Sequence, residues 1–474
     1  MRTIPHSPYR RCAGFEQVAA GFLSHPGLPF AQILSAERIE RVFARHGNLF
    51  AMSAVYSTVI TLWAFLGQVL RDGKAAACRF AVASIITYQE MLGQEVPTAD
   101  TGDYCRARAK LSEEALHELT VEIGEEMEKQ ADPQWLWKGR HAKLVDGFTF
   151  TMPDTPDNQR EYPQPASQKP GVGFPIVRAC VILSLATACV LELAVGRYSG
   201  KETGETALMR SLLDSLKAGD VLVADRFYCS FMMIALLLGR GVDVCARMHQ
   251  RRHVDFRRGK RLGKYDHLVH WNRPPKPDWM DDETYASIPK NLVLREIRFN
   301  VFESGFRVQS LTIVTTLTDP EAYTAEDLAQ LYGFRWNSEL DICAIKQSLH
   351  LDHVRCKSPE MVRRELWTTL LGYNLVRTTA AAGALLHGLK PRQISFTGTC
   401  QHVLASWMVL CAEMLDPAAV LRLCQTLLQA IAQTVVADRP GRIEPRVLKR
   451  RRHRYPLMKE PRAKLKEQLK GNKT

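Results

Sequence analysis

Leu331-Tyr332-Gly333-Phe334-Arg335-Trp336-Asn337-Ser338-Glu339-Leu340-Asp341-Ile342-Cys343-Ala344-Ile345-Lys346 reads as helix, and the rest of the chain is best read outward from it. Tyr332, Arg335, Glu339 and Lys346 follow one another at spacings of three, four and seven residues. At about 100° per residue they fall within roughly 60° of one helical face. One stripe therefore carries a phenol, a guanidinium, a carboxylate and an ammonium. A lone carboxylate flanked by cations suits a metal that sits against a phosphate. The same stripe also fits a solvated face held by Arg335–Glu339 and Glu339–Lys346 pairs.

Two aspartates upstream add to this. Asp146 ends the run Lys143-Leu144-Val145-Asp146-Gly147, and Asp225 ends Asp220-Val221-Leu222-Val223-Ala224-Asp225. Each run predicts a short apolar strand with a carboxylate at its exit. Buried parallel strands are near-continuous apolar runs, and open α/β sheets place active sites at their carboxyl ends. Each aspartate alone also fits a turn or a helix N-cap. Two strand-end aspartates and a helical glutamate would together hold two Mg²⁺ ions about 4 Å apart against one phosphate.

The order Asp146, Asp225, then Tyr332-x2-Arg335-x3-Glu339-x6-Lys346 resembles the DDE transposases of the insertion-sequence-4 family. Asp146-Gly147-Phe148-Thr149 and Asp225-Arg226-Phe227-Tyr228 are similar to that family's segments around its two aspartates. Pro153 to Pro175, with Tyr162-Pro163-Gln164-Pro165, and Tyr104 to Leu111 agree as well. The resemblance implies an RNase H-like catalytic domain in which Asp146, Asp225 and Glu339 coordinate two Mg²⁺ or Mn²⁺ ions, Asp146 bridging both. It also implies that Arg335 and Lys346 bind DNA phosphates and that Tyr332 hydrogen-bonds or packs beside them. The partners implied are the terminal inverted repeats and target DNA, in a synaptic complex with one protein per end and hence a homodimer. The activity would be strand cleavage by metal-activated water, then attack by the freed 3′-hydroxyl. Two other readings stand beside it: a non-catalytic DNA-binding protein derived from a transposase, and an RNase H-like nuclease.

These landmarks divide the chain. Residues 1–135 read as a helical N-terminal DNA-binding domain. Within it, a helix starting between Thr98 and Asp103 displays Arg106 and Lys110 one turn apart, as a reader of DNA ends or as an ordinary basic face. Residues 136–357 read as the RNase H-like, mixed α/β catalytic domain. Strands are expected at 176–188, 190–196 and 242–247, with helices at 202–216 and 227–238. The interval 248–310 exceeds what a compact core needs, and its alternation around Asn291 to Phe299 predicts a β-rich insertion. By the resemblance, Trp271 is the first candidate there to hold a flipped base and Trp279 the second; either also fits ordinary packing. Residues 358–438 read as a helical C-terminal region, and 439–474 as a basic, disordered tail that includes Lys449-Arg450-Arg451-Arg452-His453-Arg454.

Charge supports a polyanionic partner. The 474 residues carry 63 Lys and Arg against 50 Asp and Glu, a formal +13. Residues 439–474 hold 14 basic and 3 acidic side chains, and residues 247–264 hold 8 and 1, which leaves the rest slightly acidic. Such concentrated positive charge suits a phosphate backbone, and the tail alone also fits a solubilising role. The 12 cysteines include no C-x2-C pair, which argues against structural zinc and a disulfide framework. They read as small core residues of a protein in the bacterial cytoplasm, at the nucleoid. The uncharged stretch Gly47 to Leu70 has the length of a membrane span, but its Asn, Ser, Thr and Gln residues predict a buried helix instead.

Overall fold

Three consecutive strands, β1 (Ala142–Thr151), β2 (Ile176–Ser184) and β3 (Val190–Arg197), pair as an antiparallel meander. On the other side of β1, β4 (Val221–Ala224) and then β5 (Asp243–Arg247) are added in parallel. Both are enclosed by core on either face, which is why they read as unbroken apolar runs. The computed structural model describes residues 33–50, 55–91, 93–300, 310–410, 417–436 and 456–471. The fold is the mixed α/β sheet expected of an RNase H-like protein.

The β-rich segment extends this same sheet. β6 (Lys260–Gly263), β7 (Asp266–Asn272) and β8 (Asn291–Asn300) form antiparallel neighbours, and β9 (Ser310–Thr315) joins β8 to β5. The strand order is β3-β2-β1-β4-β5-β9-β8-β7-β6. At the inner end of this extension Arg295 is buried and makes a two-pronged pair with Asp266 at 2.9 and 2.6 Å.

Helices cover both faces. The N-terminal region supplies α1 (Ala36–Arg45), α2 (Thr58–Val69), α3 (Cys78–Met91), α4 (Gly102–Lys110) and α5 (Glu113–Lys129). The hydroxyls of Ser57 and Ser112 cap α2 and α5 by accepting from Ile60 and Ala115 amides. α6 (Pro156–Glu161) lies in the loop after β1, α7 (Glu205–Ser211) precedes β4, α8 (Phe231–Leu238) joins β4 to β5, and α9 (Asp282–Ser287) separates β7 from β8. After β9 come α10 (Ala325–Gly333), α11 (Trp336–Cys343), the long α12 (Pro359–Leu386), α13 (Phe396–Leu410), α14 (Pro417–Gln433) and α15 (Arg462–Gly471). One continuous core takes in α1, α2, α5, one face of β1–β3, and α10 to α14. The opposite face packs on α7 and α8 and runs out along β7 and β8. α12 is buried along most of its length, and its Asn374 side chain accepts from the Val190 amide at 2.8 Å and donates to the Val190 carbonyl at 2.9 Å.

Several expectations need correction. β1 does not end at Asp146: its antiparallel pairing with β2 carries it on to Thr151, and only the parallel ladder to β4 stops, at the rung Val145–Ala224. The helix from Leu331 to Lys346 is interrupted. Phe334 and Arg335 form a turn between α10 and α11, and residues 344–348 widen into a π-helical turn. Part of the basic tail is ordered: Arg462–Gly471 is helical, as its Ala, Leu, Lys, Glu and Gln content favours, and Glu460 pairs with Lys169. The run Lys449 to Arg454 lies outside the described residues. Among the described residues of Gly47 to Leu70 the helix is Thr58–Val69, buried from Thr61 onward. No described helix is long and apolar enough to cross a membrane. The described cysteines form no disulfide with one another, and most are buried.

Candidate active site

The site forms where the parallel ladder opens. Val145 and Ala224 are the last paired residues of β1 and β4, and the next residue on each strand is an aspartate, Asp146 and Asp225. Adjacent strands lie about 4.8 Å apart, so the two carboxylates start from neighbouring backbone positions. Asp225 leaves β4 into a 3₁₀ turn, Arg226–Tyr228. Its half-buried side chain makes no hydrogen bond or ion pair among the described residues.

α11 lies across β1 and brings the helical residues to Asp146. The Ser338 hydroxyl donates to Asp146 Oδ2 at 2.8 Å, and Arg335 Nη1 stands 3.3 Å from the same oxygen. The other Arg335 amino group holds Glu339 Oε1 at 2.6 Å, so one guanidinium bridges two of the three acids. The Gly147 amide donates to Asp146 Oδ1 at 2.9 Å. Burial pushes the Asp146 carboxyl above its ordinary value, and the charge of Glu339 adds to the rise. Ser338, Arg335 and the Gly147 amide pull the other way, but burial prevails. A carboxylate with that balance gains from a further cation.

Tyr332 is buried at the end of α10, and its phenol is raised first by burial and then by the charge of Asp225. Arg335, which stands beside Asp146 with Glu339, pulls the phenol the other way. Lys346 is placed elsewhere. The π-helical turn directs it to Asp352, at 3.0 Å, rather than to Glu339. Asp352 is tied to the far end of β1 through Thr151, whose amide and hydroxyl donate to the Asp352 carbonyl at 3.3 and 2.9 Å. Five residue steps along the strand separate Thr151 from Asp146, about 16 Å of rise.

The other sequence candidates lie away from the carboxylates. Arg106 and Lys110 are exposed on α4, and Arg106 pairs with Asp103. Trp271 is 5% exposed: its indole N–H donates to Glu296 Oε1 at 2.8 Å, and the Arg252 guanidinium covers its ring at 3.5 Å. Here it packs the second core instead of offering an open ring face. Trp279 is 37% exposed, with Arg210 over its ring at 4.0 Å. Between β5 and β7, Arg251, Arg252, Arg257, Arg258, Lys260, Arg261 and Lys264 are all exposed, with Asp255 the only acid among them.

Two residues next to these carboxylates carried no sequence signal. Ser338 sits one position before Glu339, about 100° round the helix from it and outside the polar stripe. Glu205, the first residue of α7, lies against Gly147 on the other side of the sheet.

A family model described as a transposase DDE domain matches residues 137–375. The transposase InsG for insertion sequence element IS4, from Escherichia coli (strain K12), is 24% identical over 438 residues, covering 92% of this chain and 94% of the relative. The transposase for insertion sequence element IS421, from Escherichia coli, is 38% identical over 64 residues, 14% of this chain and 17% of the relative. Among solved structures, the piggyBac transposase in a synaptic complex with hairpin DNA aligns over 88% of this chain and 84% of that chain, with a TM-score of 0.39 and 10% identity.

Proposed function

The chain belongs to the DDE transposases, in the insertion-sequence-4 family, and on that premise we propose that Asp146, Asp225 and Glu339 are its metal-binding acids. The observation that carries this reading is the common opening of two strands at Val145–Ala224, with a carboxylate immediately beyond each. DDE transposases use divalent metal ions, and the donors here suit a hard cation. Asp225 is unpartnered among the described residues, Asp146 is largely buried, and both offer oxygen only. As they stand, no three described His, Cys, Asp or Glu side chains are close enough to hold a metal ion. Arg335 occupies the bridging place between Asp146 and Glu339, so Glu339 would exchange that guanidinium for the cation.

Two Mg²⁺ or Mn²⁺ ions are the proposed complement. Bound there, they would supply an activated attacking oxygen and neutralise charge at the phosphodiester. The chain's own residues do the rest. Ser338 and the Gly147 amide hold Asp146 in one orientation. Arg335, released from Glu339, presents two N–H groups to a phosphate oxygen of the strand being cut. Tyr332, buried at the end of α10 near Arg335, hydrogen-bonds or packs beside the phosphate contacts. Lys346, beyond the end of β1, meets a more distant phosphate. The exposed arginines and lysines from Arg251 to Lys264 bind the duplex by charge, with an affinity that falls steeply with salt. Terminal inverted repeats and target DNA are the substrates, and a homodimer with one copy per end is the proposed assembly.

The test is strand cleavage of the flanking element ends by wild type and Glu339→Gln with Mg²⁺. Cleavage by wild type alone, with DNA still bound by the variant, supports the assignment. DNA binding without cleavage by either protein, even with Mn²⁺, favours the non-catalytic DNA-binding reading.

A further inference from the structure

Alternate residues of a strand point to opposite faces, and on β1 Leu144 and Phe148 join the core beneath α11 while Val145 joins the core beneath α7. Asp146 therefore faces α11, and Gly147 faces α7. A Cβ built on Gly147 would lie 2.4 Å from Glu205 Cδ and 2.8 Å from its Oε1. The carboxyl group of Glu205 is thus in contact with the bare backbone of Gly147. Gly147 is not in the left-handed region, so what this glycine contributes is a missing side chain and not an unusual turn.

Past the rung Val145–Ala224, β1 has no neighbour on the β4 side. Gly147 and Asp225 are therefore not joined by a ladder rung, and on the α7 face the space that a side chain at Gly147 would fill is taken by the Glu205 carboxyl. The Glu205 carboxylate accepts no hydrogen bond among the described residues. The cation that faces it is Arg178, whose guanidinium donates to the Thr203 carbonyl at 3.1 Å and lies 4.8 Å over the Tyr198 ring. Burial first, and then the charges of Asp146 and Asp225 against the pull of Arg178, raise the Glu205 carboxyl above its ordinary value. The Glu205 carboxyl thus lies within electrostatic reach of both aspartates from the opposite face of the sheet.

We propose that Glu205 is a fourth carboxylate of the site, reaching a divalent cation held by Asp146 and Asp225 from the α7 face through the gap that Gly147 leaves. The proposal rests on the metal-binding role given above to the two aspartates. A bland alternative is that Glu205 only begins α7, where a negative charge near the helix N-terminus is mildly stabilising.

The deciding measurement is Mn²⁺ binding to the full-length protein without DNA, by calorimetry and by the electron-spin signal of free Mn²⁺. Glu205→Gln, Gly147→Ala and Asp146→Asn are compared with wild type, together with their melting temperatures in chelator. Expected are a ten-fold or greater loss of Mn²⁺ affinity in Glu205→Gln and a metal-free melting temperature no lower than wild type. Gly147→Ala, whose methyl pushes Glu205 aside, should weaken Mn²⁺ with the carboxylate still on the chain. Wild-type affinity in Glu205→Gln beside a loss in Asp146→Asn overturns the fourth acid and leaves the two aspartates in place. Unchanged affinity in both removes the metal role from the aspartates as well. A lower metal-free melting temperature with unchanged affinity in Glu205→Gln would assign Glu205 to α7 alone.

Discussion

Asp341 stands two residues after Glu339 on α11 and faces the interior. It is 1% exposed, and its two carboxylate oxygens accept from Arg377 at 2.9 Å and Arg392 at 2.8 Å. Arg377 comes from α12 and also donates to the Tyr373 hydroxyl at 2.9 Å. Arg392 donates to the Ser184 and Leu185 carbonyls, each at 2.6 Å. The trio therefore fastens the helix that carries Glu339 to α12 and to the end of β2. Asp341→Ala leaves two guanidinium groups beside an empty space, and Arg377, with 7% of its side chain exposed, cannot reach water. Breaking a buried pair from one side costs about 3–5 kcal/mol. At a urea slope of about 2 kcal/mol per molar, the midpoint moves down by about 1.5–2.5 M. Adding Arg377→Met should restore most of the loss, because a well-packed apolar side chain is about as stable there as the ion pair. The assay is urea unfolding followed by tryptophan fluorescence, with the single and double variants run together. A shift of less than about 0.5 M in Asp341→Ala, or no recovery in the double variant, would refute this account of how α11 is anchored.

Two further outcomes follow from separate parts of the fold. A methyl on Gly124 of α5 would lie 2.2 Å from the Val190 carbonyl oxygen. Since the obstacle is backbone, Gly124→Ala should cost about 1–3 kcal/mol, toward the upper end, and lower the melting temperature in a thermal scan. The hydrogen bond that the His141 imidazolium donates to the Glu128 carboxylate, at 2.9 Å, raises His141 above its ordinary value of 6.5. Its contribution is therefore fully present below about pH 6.5 and disappears as pH rises through the higher folded value. Melting temperatures from pH 6 to 9 should fall more steeply for wild type than for His141→Gln, and parallel curves would count against the pair.

How much was legible in the chain depended on the range of the interaction that decides each feature. β2, β4 and β5 could be read because their apolar runs are local and continuous. The pairing of Asp146 with Asp225 could be read because both residues leave such runs. Asp146, however, looked like the exit of β1, and only the antiparallel partner β2 explains why the strand continues. The break at Phe334–Arg335 and the π-helical turn left no mark, since helical periodicity was kept on either side of them. That is how Lys346 came to be placed beside Glu339 when it meets Asp352. The alternation through Trp271 was visible, but which face of the hairpin is covered is decided by Arg252, Met280 and Ile288, which come from loops before and after it. Glu205 depends on a contact across 58 residues of sequence with a glycine that has no side chain to announce it.

The far half of the sheet is added edgewise, β9 on β5 and then β8, β7 and β6 outward. No rung of this addition touches the pairing of β1 with β4. The outer strands can therefore lengthen, shorten or change sequence over generations while the Val145–Ala224 rung stays as it is. On the proposed reading, in which the basic stretch before β7 meets the duplex, a mobile element whose ends drift keeps pace with them by remodelling this outer edge alone.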